Sequence, residues 1–175
     1  QSNIPKEKST KGIALFSLNN LLKRKKIWLN PEYQRESVWT KSQKQLFIDS
    51  ILSEIDIPKL YFHRSPDKRY DYQVIDGQQR LRAVSDFLNG EFKLSSESEE
   101  VDGEKIAGLK FEELSSDLQT KFEGSNLDIV ILNTSYTEKD IEEMFSRLQN
   151  GSPLNAAEKR RAYHGNMKHV VINLG

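Results

Sequence analysis

Residues 74–80 combine amino-acid types that could bind a phosphate group. An apolar strand pattern leads directly into Asp76-Gly77-Gln78-Gln79-Arg80, where a helix is predicted to begin. The first N–H groups of a helix have no partner within it, and the helix dipole makes them suitable for anions. Gly77 would let a ligand approach the backbone, and Arg80 would add positive charge. Asp76 could hold a divalent cation that bridges phosphates, and Gln78 or Gln79 could orient water.

The same residues have a simpler structural interpretation. Asp76 and Gln79 have the spacing of a helix-capping pair, in which the aspartate accepts from the first turn and the glutamine reaches back. The two interpretations are compatible, and both stay open on the residues alone. Neither GxxxxGK[ST] nor GxGxxG occurs in the chain. A nucleotide site here would therefore be of neither the P-loop nor the Rossmann type.

A second candidate site follows the dipeptide Asn30-Pro31. Tyr33, Gln34 and Arg35 offer a ring, an amide and a guanidinium, which are groups that contact bases and phosphates. Alternatively, Tyr33 and Trp39 are core aromatics with polar rims. The basic run at 23–26 is more simply explained as a solvated helix end than as a DNA contact.

The surrounding pattern predicts the elements that position these residues. Thr40 and Gln43 form a capping box ahead of apolar residues at helical spacing. Strand-like runs at 59–63 and 70–75 flank a turn sequence, which predicts a hairpin. We also expect a first helix capped by Ser17, helices after Gly77, at 115–123 and from Thr137, and strands at 27–29, 92–94 and 127–132. This irregular alternation predicts the α+β class.

Composition narrows the classes of function. The chain has 26 basic and 26 acidic residues, so its overall charge does not predict a polyanionic partner. The charge is uneven, with ten Lys/Arg against four acids in residues 1–50 and five against fifteen in 91–143. The absence of cysteine excludes disulfides, thiolate metal sites and cysteine nucleophiles. With no apolar run of membrane-spanning length, we expect a cytoplasmic protein with no membrane partner.

Both ends of the chain are expected to lie outside the folded domain, which we place at 13–165. Residues 1–12 are polar and lysine-rich, and we expect a flexible arm or in part a remnant of an expression vector. Residues 166–175 contain an apolar stretch with nothing after it to cover it. We expect the start of a truncated C-terminal element there, or a surface for a missing domain or a second copy in a homodimer.

Three ordered motifs resemble those of the GmrSD restriction-endonuclease N-terminal domain family. They are P-x-Y-Q-R-x-x-V-W at 31–39, V-I-D-G-Q-Q-R-L-R-A-V at 74–84 and F-S-R-L-Q-N-G-S-P-L-N-A-A-E-K-R at 145–160. The family is similar to the ParB/sulfiredoxin superfamily, which implies a small mixed sheet with flanking helices. The D-G-Q-Q-R motif stands where ParB-like proteins carry a phosphate-binding turn.

The resemblance implies a nucleotide-binding regulatory domain in a modification-dependent system that restricts phage DNA. It leaves open whether the domain only binds the NTP or hydrolyses it as a Mg-dependent NTPase. It implies that Asp76, Gly77, Gln78, Gln79 and Arg80 bind an NTP, with Mg²⁺ at Asp76. Any hydrolysis would use Asp76, Gln78, Gln79 and Arg80, while Tyr33, Gln34 and Arg35 would sense modified DNA. We expect the C-terminal nuclease or helical domain of such systems to be missing from this chain, which is therefore not expected to cut DNA. A non-catalytic DNA-binding sensor and an interaction scaffold remain as alternatives.

Overall fold

The computed structural model describes residues 4–33 and 37–151, which contain a mixed sheet and five α-helices. The sheet has the order β1-β5-β3-β4-β2, with β1 (Lys8–Ala14), β2 (Ile27–Trp28), β3 (Leu60–Arg64), β4 (Tyr72–Asp76) and β5 (Asn126–Leu132). The helices are α1 (Leu15–Lys23), α2 (Lys41–Leu52), α3 (Gln78–Leu88), α4 (Ser116–Gly124) and α5 (Glu138–Gly151). This architecture confirms the α+β class and the mixed sheet with flanking helices.

Strand pairing alternates between antiparallel and parallel across the sheet. The pairs β1/β5 and β3/β4 are antiparallel, whereas β5/β3 and β4/β2 are parallel. The chain separates into two compact units, 1–135 with the whole sheet and α1–α4, and 136–175 with α5. The first unit therefore contains both candidate sites.

The central strands form the interior of the first unit. Phe62 on β3, Val74 on β4 and Ile129 on β5 are completely buried. The predicted hairpin is confirmed, since β3 and β4 pair antiparallel with a register shift between Tyr61 and Phe62. Apolar β-branched and aromatic residues favour such buried strands because they pack well on a pleated surface. The hairpin places Asp76 at the end of a buried strand.

The start of α2 confirms the predicted capping box. Thr40 Oγ1 accepts from Gln43 N at 3.2 Å, and Gln43 Oε1 accepts from Thr40 N at 2.8 Å. The prediction that Ser17 caps the first helix is wrong, because α1 begins at Leu15 and has Ala14 as its N-cap. The chain passes from β1 into α1 without a turn, and the Leu15 N–H donates to Ser125 O at 2.8 Å. A tertiary contact thus takes the place of a side-chain cap.

Residues 8–12 correct the expectation that the first twelve residues form a flexible arm. They belong to β1, which pairs with β5 from Lys8 opposite Leu132 to Ala14 opposite Asn126. The side chains of this strand are mostly exposed, so its pairing depends on backbone hydrogen bonds. For the same reason its sequence shows little alternation of apolar and polar residues. Exposed lysines are typical of a strand at the edge of a sheet.

The predicted strand at 92–94 is also wrong. Phe92 and Leu94 are buried on alternate positions, but the segment is irregular and pairs with no strand among the described residues. Phe92 lies against Phe87 with ring centroids 5.5 Å apart, and Leu94 N donates to Leu109 O at 2.8 Å. The alternate burial of Phe92 and Leu94 therefore comes from packing into the core and not from hydrogen bonds to a neighbouring strand. Residues 166–175 lie outside the described residues.

Candidate functional site

Gly77 occupies the sharp turn between β4 and α3. It is the N-cap of α3 and has φ +120°, a conformation that side-chain-bearing residues rarely adopt. A Cβ atom here would lie 2.6 Å from Leu60 Cγ and 2.7 Å from Leu60 Cδ2. Packing against β3 therefore requires a glycine at this position. No signal in the sequence indicated Leu60 as the neighbour.

The first turn of α3 has no side-chain cap. The capping-pair interpretation of Asp76 and Gln79 is wrong, because Gln79 Oε1 instead accepts a hydrogen bond from Trp39 N at 3.0 Å. The first hydrogen bond of the helix runs from Leu81 N to Gly77 O at 3.0 Å. The N–H groups that precede it lie at the positive end of the helix dipole. This end of α3 is thus suited electrostatically to an anion.

Asp76 and Arg80 form an ion pair beside this helix end. Arg80 Nη2 lies 3.4 Å from Asp76 Oδ2, and Arg80 Nη1 donates to Pro58 O at 2.6 Å. The side chains are only 14% and 9% exposed, respectively. Burial raises the pKa of the Asp76 carboxyl, and the positive charge of Arg80 acts in the opposite direction. The pair therefore places one acidic and one basic group in a weakly hydrated environment at the predicted site.

Gln78 belongs to a buried polar network. Its Nε2 donates to Asn30 O at 3.1 Å and to Val74 O at 3.3 Å. Asn30 Nδ2 in turn donates to Gln73 Oε1 at 3.3 Å, and Gln73 Nε2 lies 3.0 Å from His63 Nδ1. Buried polar groups need such partners, because an unpaired buried donor or acceptor is costly. Gln73 is a member of this network that the sequence did not indicate, whereas Asn30 lies at the start of the second candidate segment.

The two glutamines bring the two predicted sites together. Gln78 donates a hydrogen bond to the Asn30 carbonyl, and Gln79 accepts one from the Trp39 amide. Both ends of the second candidate segment are therefore hydrogen-bonded to the first turn of α3. Tyr33 is buried, with 5% of its surface exposed, as the core-aromatic interpretation predicts. Gln34 and Arg35 lie outside the described residues. Two motifs about 40 residues apart in sequence therefore form one region of the molecule.

Asp76 is the acidic candidate for a metal ligand at this site. No group of three or more His, Cys, Asp or Glu residues with metal-binding geometry occurs in the described ranges. A Mg²⁺ ion with Asp76 would therefore take its other ligands from water and from phosphate oxygens, as Mg²⁺ commonly does. Among the described residues the contact with Arg80 uses Asp76 Oδ2, so Asp76 Oδ1 could serve as the single protein ligand.

A separate concave surface is lined by residues that do not belong to this region. A depression of about 240 Å³ is lined by Glu54, Glu100, Asp102 and Lys121, with three further residues. Lys121 Nζ lies 2.9 Å from Glu54 Oε2 and 3.0 Å from Asp102 Oδ2, so the depression has its own internal charge pairing. We place the candidate site at α3 because a buried carboxyl with a raised pKa, its arginine partner and a helix start without a side-chain cap lie together there. No helix among the residues described is long and apolar enough to span a bilayer.

Comparisons with known proteins give a matching family model and a similar solved structure. No curated protein matches the sequence. The crystal structure of the C-terminally truncated chromosome-partitioning protein ParB from Caulobacter crescentus, complexed with CTP-gamma-S, is similar at 13% identity and a TM-score of 0.45. The similarity covers 91% of this chain, which spans 64% of the ParB chain.

The family comparison covers both motifs of the candidate site. The family model described as GmrSD restriction endonuclease, N-terminal domain, matches residues 18–165. The match includes Asp76–Arg80, Asn30 and Trp39, which the structure places together. The chain belongs to the GmrSD restriction endonuclease N-terminal domain family.

Proposed function

We propose that this chain is a nucleotide-binding regulatory domain of a modification-dependent restriction system, and that the start of α3 binds the triphosphate. The observation that carries the proposal is an uncapped helix end directly beside the buried Asp76–Arg80 pair. Free N–H groups and the helix dipole favour a phosphate at such a position. Membership of a restriction-endonuclease family supports a role in DNA restriction.

Arg80 would supply positive charge to the phosphates. Its guanidinium uses one nitrogen for Pro58 O and another for Asp76, and a guanidinium has five N–H donors in total. The remaining donors can bind phosphate while the two existing contacts hold the side chain in place. Arg80 is therefore pre-organised, which reduces the entropy lost on binding.

Asp76 would bind the Mg²⁺ that accompanies the nucleotide. The metal would neutralise phosphate charge, and Asp76 would be its protein ligand from the described part of the chain. A cation at Asp76 would also stabilise the ionised carboxylate, whose pKa is raised by burial. Nucleotide and Mg²⁺ should therefore bind together.

Binding is better supported than hydrolysis. Gln78 and Gln79, the residues that would orient a water molecule, hold Asn30 and Trp39 instead. These contacts give the glutamines a positioning role, in which they attach the segment containing Tyr33 to the nucleotide site. An effect of the nucleotide on recognition of modified DNA by that segment is the regulatory function that we propose.

Thermal unfolding with Mg²⁺ and each NTP tests nucleotide binding. A ligand at 100 times its Kd adds about 2.7 kcal/mol to the unfolding free energy, which is about 5–10 °C for a chain of this size. Asp76→Asn and Arg80→Lys should reduce this shift. Arg82→Ala should keep it, since Arg82 is an exposed arginine on the same helix. If no NTP shifts the melting temperature of the wild-type chain, the proposal fails.

Hydrolysis is measured separately, as phosphate release by the same variants with and without DNA. A folded Gln79→Leu variant that binds NTP but releases no phosphate, beside an active wild type, would give that glutamine a catalytic role. If the wild type binds NTP and releases no phosphate, the domain is a nucleotide sensor.

A further inference from the structure

A basic surface with two partly exposed aromatic rings lies at the opposite end of β4 from Asp76. We call it the turn surface, and it consists of the α1–β2 turn and the β3–β4 turn. Its cations are the run at 23–26 with Arg64, Lys68 and Arg69, and its rings are Trp28 and Tyr70. Seven basic residues stand there against two acids, Asp67 and Asp71, although the whole chain is neutral.

Backbone and ring contacts join the two turns into one surface. Lys26 O accepts from Asp71 N at 2.7 Å and from Tyr72 N at 3.3 Å. The rings of Trp28 and Tyr70 are stacked, with centroids 5.6 Å apart and planes 14° apart. The basic run at 23–26, which the sequence explains as a solvated helix end, thus becomes part of a larger charged surface only when the sheet forms.

Several of these cations are available to a ligand. Lys23, Arg24, Lys25 and Lys68 are exposed and make no salt bridge within the described residues. Arg69 pairs with Asp67 at 2.7 Å on the surface. A surface pair of this kind is weak, so it exchanges easily for a contact with another anion.

Lys25 occupies a position at which glycine is the usual residue. It follows the end of α1 with φ +57°, and its N–H donates to Leu22 O at 3.0 Å while Lys26 N donates to Leu21 O at 2.8 Å. This is the pattern of a helix that ends in a left-handed residue. Because a left-handed backbone is less favourable for lysine than for glycine, Lys25 lowers the stability of the fold. It also adds a positive charge to the turn surface.

We propose that the turn surface binds the phosphodiester backbone of a nucleic acid. Unpaired lysines on exposed turns suit phosphate oxygens, and the 37%-exposed Trp28 ring offers a flat face on which a base can stack. Trp28 and Tyr70 already form a stack of two rings that a base can extend, and this geometry favours a nucleic acid over a lipid surface. Four residues of β4 separate this surface from Asp76, a distance of about 13 Å. The proposal does not depend on nucleotide binding at α3.

The test is fluorescence anisotropy with a labelled oligothymidine and a labelled duplex over a range of salt concentrations. Lys25→Gly, Lys68→Ala and their combination should weaken binding, with about a tenfold loss for the double variant. The slope of log affinity against log salt should become shallower by about one for each lysine removed. Comparison of the two probes distinguishes single-stranded from duplex nucleic acid as the source of the phosphates.

Lys25→Gly also separates binding from stability. The variant should melt about 2–4 °C higher than the wild type while it binds more weakly, so unfolding could not explain the loss. Glu54→Gly is the matched control, because Glu54 has φ +60° in the same helix-ending pattern after α2. It should raise the melting temperature without weakening nucleic-acid binding.

Three outcomes would overturn the proposal. The first is a wild-type chain that binds neither probe. The second is an affinity that Lys25→Gly and Lys68→Ala leave unchanged. The third is lysine-dependent binding to phosphatidylserine vesicles in the absence of binding to either nucleic acid.

Discussion

Replacing Gly77 by alanine tests why the α3 turn contains a glycine. The new methyl group would lie 2.6 Å from Leu60 Cγ, and the residue would have to keep φ +120°. A sparsely populated backbone conformation costs about 1–3 kcal/mol. Overpacking of a core costs about 1–3 kcal/mol more. We therefore expect Gly77→Ala to lower the unfolding free energy by about 2–6 kcal/mol, a large part of the total for a domain of this kind.

Urea unfolding of a double-mutant cycle separates the two costs. Leu60 is fully buried, and Leu60→Ala alone should cost about 2–5 kcal/mol. In the double variant the alanine at 77 occupies space that Leu60 has left, so the combined loss should fall short of the sum by about 1 kcal/mol or more. Gly108→Ala is the control for the backbone alone, because Gly108 has φ +77° and no atom within 4 Å of the added Cβ. That variant should lose only about 1–2 kcal/mol.

Two results would refute this reasoning. One is a Gly77→Ala variant no less stable than Gly108→Ala, which would mean that the turn accommodates a side chain. The other is strict additivity in the cycle with Leu60→Ala, which would mean that Leu60 does not restrict the position. In either case the glycine would be better explained by the close approach of a ligand to the backbone.

Three further predictions concern the same region and the helix before it. Because burial raises the pKa of Asp76, the folded state holds this proton to higher pH than the unfolded chain does. The contribution of Asp76 to the unfolding free energy should therefore be lost as pH rises from about 4 through the raised pKa, and Asp76→Asn should abolish that dependence in urea titrations. Thr40→Ala should lower the unfolding free energy by about 1 kcal/mol while Thr40→Ser changes it little, and equal losses would argue against the cap. Gln79→Leu should speed hydrogen exchange at the Trp39 amide, measured by NMR, and leave the Thr40 amide protected by Gln43. Unchanged exchange at Trp39 would show that its hydrogen bond to Gln79 is not what protects this amide.

Local patterns in the sequence were sufficient to predict several elements. The capping box of Thr40 and Gln43 joins residues three apart, and the β3–β4 hairpin joins strands across a short turn. The start of α3 directly after Gly77 is equally local, since it depends on a glycine between an apolar run and a helical pattern. The same short motifs were enough to indicate the family. In each case the interacting groups are close in sequence, so their spacing alone identifies the structure.

Tertiary structure decided which groups each site residue contacts. Gln79 and Asp76 have the spacing of a capping pair, yet the glutamine binds a backbone N–H 40 residues away at Trp39. The edge strand β1 pairs with β5 more than 100 residues later through backbone groups, which carry no side-chain pattern to detect. The charge of the turn surface also depends on the sheet, which brings residues 23–26 beside 64–70. A buried amide binds whichever complementary group the fold brings within about 3 Å, and for contacts across the sheet that choice depends on long-range packing.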